Sequence, residues 1–188
     1  MTTTMDPKVV ALIVIGIIAV LLIIWAVVRQ RRTADLKKRF GPEYDRAVHE
    51  SGPRKAEATL LEREKRVDKF HIRPLPADER ERFITEWRRV QSRFVDEPRG
   101  AVTQADLLVN NVMRVRGYPM TDFEQRAADI SVTHPYVVTN YRAAHEIAER
   151  HQQGQATTED LRQAMIYYRS LFDDLLEPAP ADPRREVA

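Results

Sequence analysis

Two histidines and two glutamates lie close together in the segment His145-Glu-Ile-Ala-Glu-Arg-His151. The helical zinc site of metalloproteases needs two histidines four residues apart, with a glutamate as general base. Here the fourth residue after His145 is Glu149, and His151 lies about 240° around a helix from His145. The spacing therefore does not predict a protease site. His145 and Glu149 leave a surface metal pair open, but we favour a solvated pair.

Other catalytic patterns are missing or incomplete in the sequence. It contains no glycine-rich phosphate loop, no Gly-x-Ser-x-Gly elbow and no Glu-x-x-His pair for a di-iron site. The lack of cysteine excludes disulfides, thiolate zinc sites and a cysteine nucleophile. We interpret Asp173, Asp174 and Glu177 as a solvated helix end, and His71 and His134 as ordinary polar residues beside prolines. We therefore expect no enzyme activity, no metal and no cofactor.

The most diagnostic pattern is an unbroken apolar run over residues 9–28, without a charged, amide or hydroxyl side chain. A helix of about 20 residues matches the roughly 30 Å hydrocarbon layer of a bilayer. The run is longer than the apolar part of a cleaved secretory signal, and it ends without a small-residue cleavage site. The sequence predicts an uncleaved transmembrane helix at 9–28, preceded by a short N-terminal segment at 1–8.

Basic residues follow this run directly, whereas its N-terminal side carries only Lys8. The positive-inside rule then predicts a translocated N-terminus and a cytoplasmic C-terminal part. An excess of arginine over lysine is typical of GC-rich bacteria, so we expect a single-pass protein of the bacterial inner membrane. The basic side chains would hold anionic headgroups, each contributing about 1 kcal/mol near the surface. The predicted interface residues are Trp25, Arg29, Arg31, Arg32, Lys37, Lys38 and Arg39.

Charge is distributed unevenly beyond the apolar run. The net formal charge is +5 over residues 29–69 and −3 over residues 70–188. A nucleic-acid-binding domain would carry its basic excess on the folded distal part. We therefore expect no nucleic acid as a partner and attribute the high isoelectric point to the membrane flank.

The sequence after the apolar run predicts an all-α fold, because apolar residues recur every three or four positions in segments that begin or end at prolines and glycines. Residues 29–70 predict basic juxtamembrane helices that form a charged stalk, because the apolar stripe of residues 53–69 is thin. Residues 71–77 predict a stiff Pro-rich linker. Residues 78–176 predict a helical bundle of about four or five helices, the last starting at a Thr157/Asp160 capping box. Residues 177–188 predict a disordered tail.

Two features of this helical domain leave alternatives open. The rings of Trp87 and Tyr141 lie at core spacing, which favours packing over a ligand pocket. Asn110, in the middle of a predicted helix, fits either an interhelical hydrogen bond or an exposed patch.

Several short stretches of the sequence resemble those of one protein family: 38–46, 61–67, 72–76 with Glu86-Trp87, and 116–119 with 122–126. The family they resemble consists of uncharacterised bacterial single-pass membrane proteins with a soluble helical domain. The resemblance implies one unit of anchor and helical domain across most of residues 38–176. It implies no activity, cofactor or catalytic residue.

Three functions remain from the sequence. The first is a membrane-anchored protein-interaction or scaffolding module with an unidentified protein partner. The second is a binding module for a small or lipid-like ligand inside the bundle, beside Trp87 and Tyr141. The third is a membrane-bound enzyme, which would require histidines and acidic residues to converge in one cleft. Separately, self-association through the stalk would make the protein a homo-oligomer.

Overall fold

A computed structural model describes the backbone of residues 7–177 and the side chains from residue 16 onward. The described chain contains eight α-helices and no strand, which confirms the all-α prediction. It divides into two compact units, Met1–Arg39 and Phe40–Ala188. The helices are α1 (Pro7–Phe40), α2 (Pro42–Ser51), α3 (Pro53–Val67), α4 (Ala77–Arg93), α5 (Pro98–Arg116), α6 (Phe123–Thr133), α7 (Val138–Gln152) and α8 (Thr158–Leu176).

The first unit contains α1 as far as Arg39. Large apolar side chains from Ile17 to Val28 are 43% to 62% exposed, and they point to every side of the helix. Among the described residues, no helix combines the length and the apolar character needed to cross a lipid bilayer. Residues 9–15 of the predicted span lie outside the described side chains.

The second unit contains a bundle of five helices, α4 to α8. Helix α8 lies against α5 and α7, and α4 packs on α5. The predicted apolar stripes form its core, with Phe83, Val112, Tyr141 and Phe172 all buried. Residues three or four apart share one face of a helix, so each of these helices buries a continuous stripe.

Several helices begin or end at a proline, a glycine or a capping box, as the sequence predicts. The capping box at α8 is present, because the Thr157 hydroxyl accepts the Asp160 N–H and the Asp160 carboxylate accepts the Thr157 N–H. Helix α5 ends at Gly117, which adopts a left-handed φ of 96°. The Tyr118 N–H then donates to the Met113 carbonyl at 3.0 Å, as in a Schellman motif.

The stalk expected at 29–70 differs from the structure over its larger part. Helices α2 and α3 belong to the second compact unit, where α3 packs on α6 and α2 contacts α7. The thin apolar stripe of α3 is buried, with Ala56 and Leu60 at 0% exposure and Val67 at 3%. The hydropathy of α3 is low because charged residues surround this stripe, and two of them, Arg63 and Arg66, pair with Glu43 and Asp129.

The segment between α3 and α4 is docked and does not separate two domains. The Arg73 N–H donates to the Arg116 carbonyl at 2.9 Å, and Leu75 belongs to the main hydrophobic core. The prolines at 74 and 76 keep this segment out of a helix, as expected. Within the predicted N-terminal segment and tail, residues 1–6 and 178–188 lie outside the described residues.

Candidate functional site

A buried guanidinium, a buried imidazole and a partly exposed carboxylate lie in a row where α5, α6 and α8 meet. His134 caps the C-terminus of α6 and is 5% exposed, and Arg116 in the last turn of α5 is fully buried. The His134 Nδ1 lies 2.5 Å from Asp174 Oδ2, and its Nε2 lies 3.4 Å from Arg116 Nη1. From the sequence we expected His134 to be an ordinary polar residue beside a proline and Asp174 to be part of a solvated helix end, so their convergence was missed.

This row links charges of opposite sign through one imidazole. A neutral His134 that donates from Nδ1 to Asp174 and accepts at Nε2 from Arg116 satisfies both contacts. Arg116 also donates from Nη1 to the Leu175 carbonyl at 2.7 Å and from Nε to the Arg73 carbonyl at 3.3 Å. Burial lowers the pKa of the Arg116 guanidinium, while Tyr118 and Asp174 oppose this shift. Both imidazole nitrogens are engaged, so this arrangement ties three helices together.

A second cluster surrounds Glu43 in the first turn of α2. Glu43 is 1% exposed, and its Oε1 accepts hydrogen bonds from Arg63 at 2.8 Å, Arg46 at 3.2 Å and Arg142 at 3.3 Å. Arg142 also pairs with Glu124 at 2.7 Å. A buried carboxylate needs such compensation, because removing an ion from water is costly. The cluster joins α2 to α3 and α7.

A third cluster forms between α3 and α6. Arg66 donates from Nε and Nη2 to Asp129 Oδ1, at 2.8 Å and 2.6 Å. The same carboxylate oxygen accepts from the Gln125 amide at 2.9 Å, and Asp129 is 2% exposed. Nearby, Arg63 Nη1 lies 3.4 Å from the Ser131 hydroxyl. A surface cleft of about 320 Å³ beside these residues is lined mainly by polar and charged side chains of α3 and α6.

Polar side chains also cross the bundle between α5, α7 and α8. The Tyr168 hydroxyl donates to Asp106 Oδ1 at 3.0 Å, and the Asn110 amide donates to Asp106 Oδ2 at 3.0 Å. Tyr141 donates to Asn110 Oδ1 at 3.4 Å, so the interhelical alternative for Asn110 is the one observed. Burial and the nearby Asp106 carboxylate raise the pKa of the Tyr168 hydroxyl.

His145, the histidine of the candidate metal pair, lies apart from these clusters. His145 stacks on Phe123 with ring centroids 3.5 Å apart, and its Nε2 lies 3.6 Å from Glu149. No group of three or more potential metal ligands occurs among the described residues. His145 and Glu149 thus form a surface pair, and His151 does not join them in such a group.

The rings considered for a ligand pocket are packed in the core. Trp87 stacks on Phe172 at a centroid distance of 4.7 Å, and Tyr141 contacts Phe123 at 4.9 Å. A second cleft of about 320 Å³ lies between α7 and α8 and is lined by Arg150, Asp160 and neighbouring polar side chains. Neither of the two clefts includes Trp87 or Tyr141.

The predicted membrane-interface residues lie along the C-terminal half of α1. Arg29 Cζ lies 5.3 Å from the centre of the Trp25 ring, which is a cation–π contact. Arg31 and Arg32 are exposed, and Lys37, Lys38 and Arg39 occupy the last turn of the helix. Positive side chains are favourable near a helix C-terminus, where the backbone dipole is negative.

Comparison of the chain with protein-family models, with curated proteins and with solved structures gives no match.

Proposed function

We propose that this protein is a single-pass protein of the bacterial inner membrane whose cytoplasmic helical domain recruits or positions a partner protein. The observation that carries the proposal is the apolar run at 9–28. Where its side chains are described, they are exposed on all sides of α1. Exposing such an apolar surface to water costs about 25 cal/mol per Å², and the hydrocarbon layer of a bilayer removes this cost.

The orientation rests on the basic flank. The stretch from Arg29 to Arg39 contains six basic residues and one acidic residue, Asp35. Basic residues close to a membrane helix are retained on the cytoplasmic side. Trp25 and Arg29 suit the headgroup layer on that side, because an indole ring and a guanidinium both tolerate a boundary between lipid and water.

The interaction role rests on how the polar residues of the domain are used. Its buried ionisable residues Glu43, Asp129, Arg116 and His134 contact one another or other residues of the domain, which is typical of a structural role. Exposed apolar side chains such as Leu107 and Ile166, at 61% and 46% exposure, provide contact points for a partner.

Thiol labelling in intact cells tests the anchor and its orientation. Gln153 lies exposed in the turn between α7 and α8, and the chain has no native cysteine, so Gln153→Cys introduces one reporter. We expect a membrane-impermeant maleimide to label it only after lysis, with the protein in the membrane fraction. Labelling in intact cells would refute the orientation, and recovery in the soluble fraction would refute the anchor.

A pulldown from mild detergent tests the interaction role. We expect the full chain to recover a discrete partner that is lost when Leu107 is replaced by lysine. Recovery of the protein alone, under conditions that retain other membrane complexes, would count against the proposal.

A further inference from the structure

The α2–α3 hairpin (residues 42–67) is attached to the five-helix bundle in a different way from the other helices. The main hydrophobic core consists of residues between Leu75 and Leu176. The buried apolar residues of the hairpin, such as Tyr44 and Leu60, lie outside that cluster. The hairpin's buried apolar residues therefore lie outside the core that holds α4 to α8, as do the buried Ala128 and Val132 of α6.

Charged side chains make the specific contacts across this boundary. Arg66 of α3 pairs with Asp129 of α6, and Arg142 of α7 reaches Glu43 of α2. Arg63 adds a contact to Ser131 of α6. Arg66 is 37% exposed, whereas Asp129 is almost fully buried.

Contacts of this kind stabilise an interface less than an apolar core does. The attraction between two ions is largely offset by the loss of their hydration, and salt screens the part that remains exposed. A protein opens locally where apolar burial is smallest, as a unit that matches a supersecondary motif. The segment after the hairpin stays fixed, because Arg73 is hydrogen-bonded to Arg116 and Leu75 is in the core.

We infer that the α2–α3 hairpin is a releasable clasp, which opens from α6 and α7 as a unit while α4 to α8 stay folded. Opening uncovers Asp129 and Ser131 on α6, which are 2% and 0% exposed in the closed form. Gly41 alone separates α1 from α2, so the clasp follows directly on the helix that carries the proposed anchor. All the contacts of the clasp lie within the second unit, so its release does not depend on whether α1 enters a membrane.

Hydrogen–deuterium exchange of the full chain in mild detergent tests this inference. Arg66→Met removes the charge but keeps most of the side-chain volume. We expect the amides of α2 and α3 to exchange about tenfold faster in this variant, while those of α5 and α8 keep their rates. The matched control is Arg162→Met on α8, because Arg162 pairs with Glu159 at the same distance of 2.6 Å without joining two helices.

Salt and a second variant separate the possible outcomes. Raising the salt from about 0.05 M to about 1 M is expected to speed exchange in the hairpin alone, and Asp129→Asn to reproduce the effect of Arg66→Met. Equal acceleration in all helices would overturn the inference, because the hairpin would then open only when the whole domain unfolds. Unchanged hairpin rates in both variants would also overturn it, because the charges would not hold the clasp.

Discussion

Replacing Gly117 with alanine tests how tightly the end of α5 is packed against the segment before α4. Gly117 has a φ of 96°, and a Cβ added there would lie 2.6 Å from the His71 carbonyl oxygen. A side chain in the left-handed region costs about 1 kcal/mol. Relief of the clash requires the His71 carbonyl to move, which strains the hydrogen bond from Arg73 to Arg116. The lost hydrogen bond and the overpacking add about 2 kcal/mol.

We therefore expect Gly117→Ala to lower the free energy of unfolding by about 3 kcal/mol. Gly154→Ala is the matched control, because Gly154 has a φ of 74° and no heavy atom within 4 Å of an added Cβ. It should cost only about 1 kcal/mol, from the backbone alone. Urea denaturation of the detergent-solubilised chain, followed by circular dichroism, measures both values. An equal loss in the two variants would refute the close approach at Gly117.

Three further predictions address the anchor, a helix cap and a buried hydroxyl. Leu21→Arg should raise the apparent free energy of membrane insertion by about 3–4 kcal/mol and move the protein out of carbonate-washed membranes, whereas Leu107→Arg should leave it there. Thr157→Ala should cost about 1 kcal/mol in urea denaturation. The Thr157 hydroxyl and backbone N–H hold the pKa of Asp160 below its usual 3.8. These hydrogen bonds therefore stabilise the fold above that pH, and their contribution is lost as the pH falls through the lowered pKa. A Thr157→Ala variant that unfolds in acid in the same way as the parent would contradict this. The raised pKa of Tyr168 predicts that stability falls as the pH rises above about 10, and Tyr168→Phe should flatten this fall in alkaline denaturation.

The helices of the bundle could be predicted because their ends are marked by single residues. Pro98 starts α5, Gly117 ends it, and Thr157 with Asp160 starts α8, each for a local reason of backbone geometry or hydrogen bonding. Local signals of this kind do not depend on which helix lies next to which. They therefore predict helices without predicting how the helices pack.

The charged contacts were missed for the opposite reason. Asp129 is 63 residues from Arg66, and Asp174 is 40 residues from His134, so neither pair has a sequence signature. One signal was nevertheless present in α3, where Arg63 lies between Leu60 and Val67 on the same helical face. An arginine inside an apolar stripe indicates an ion pair at a helix interface as readily as it indicates a solvated stalk.

The charged face of the α2–α3 hairpin also matters during translation. Arg66 leaves the ribosome 63 residues before Asp129, a delay of about 3–13 s at 5–20 residues per second. During that interval, the side of α3 that awaits α6 presents arginine to water between its apolar residues. A nascent hairpin of this composition stays hydrated and is a poor seed for aggregation. The same arginine that holds the clasp to α6 in the finished protein thus keeps this face of α3 hydrated while the chain is being made.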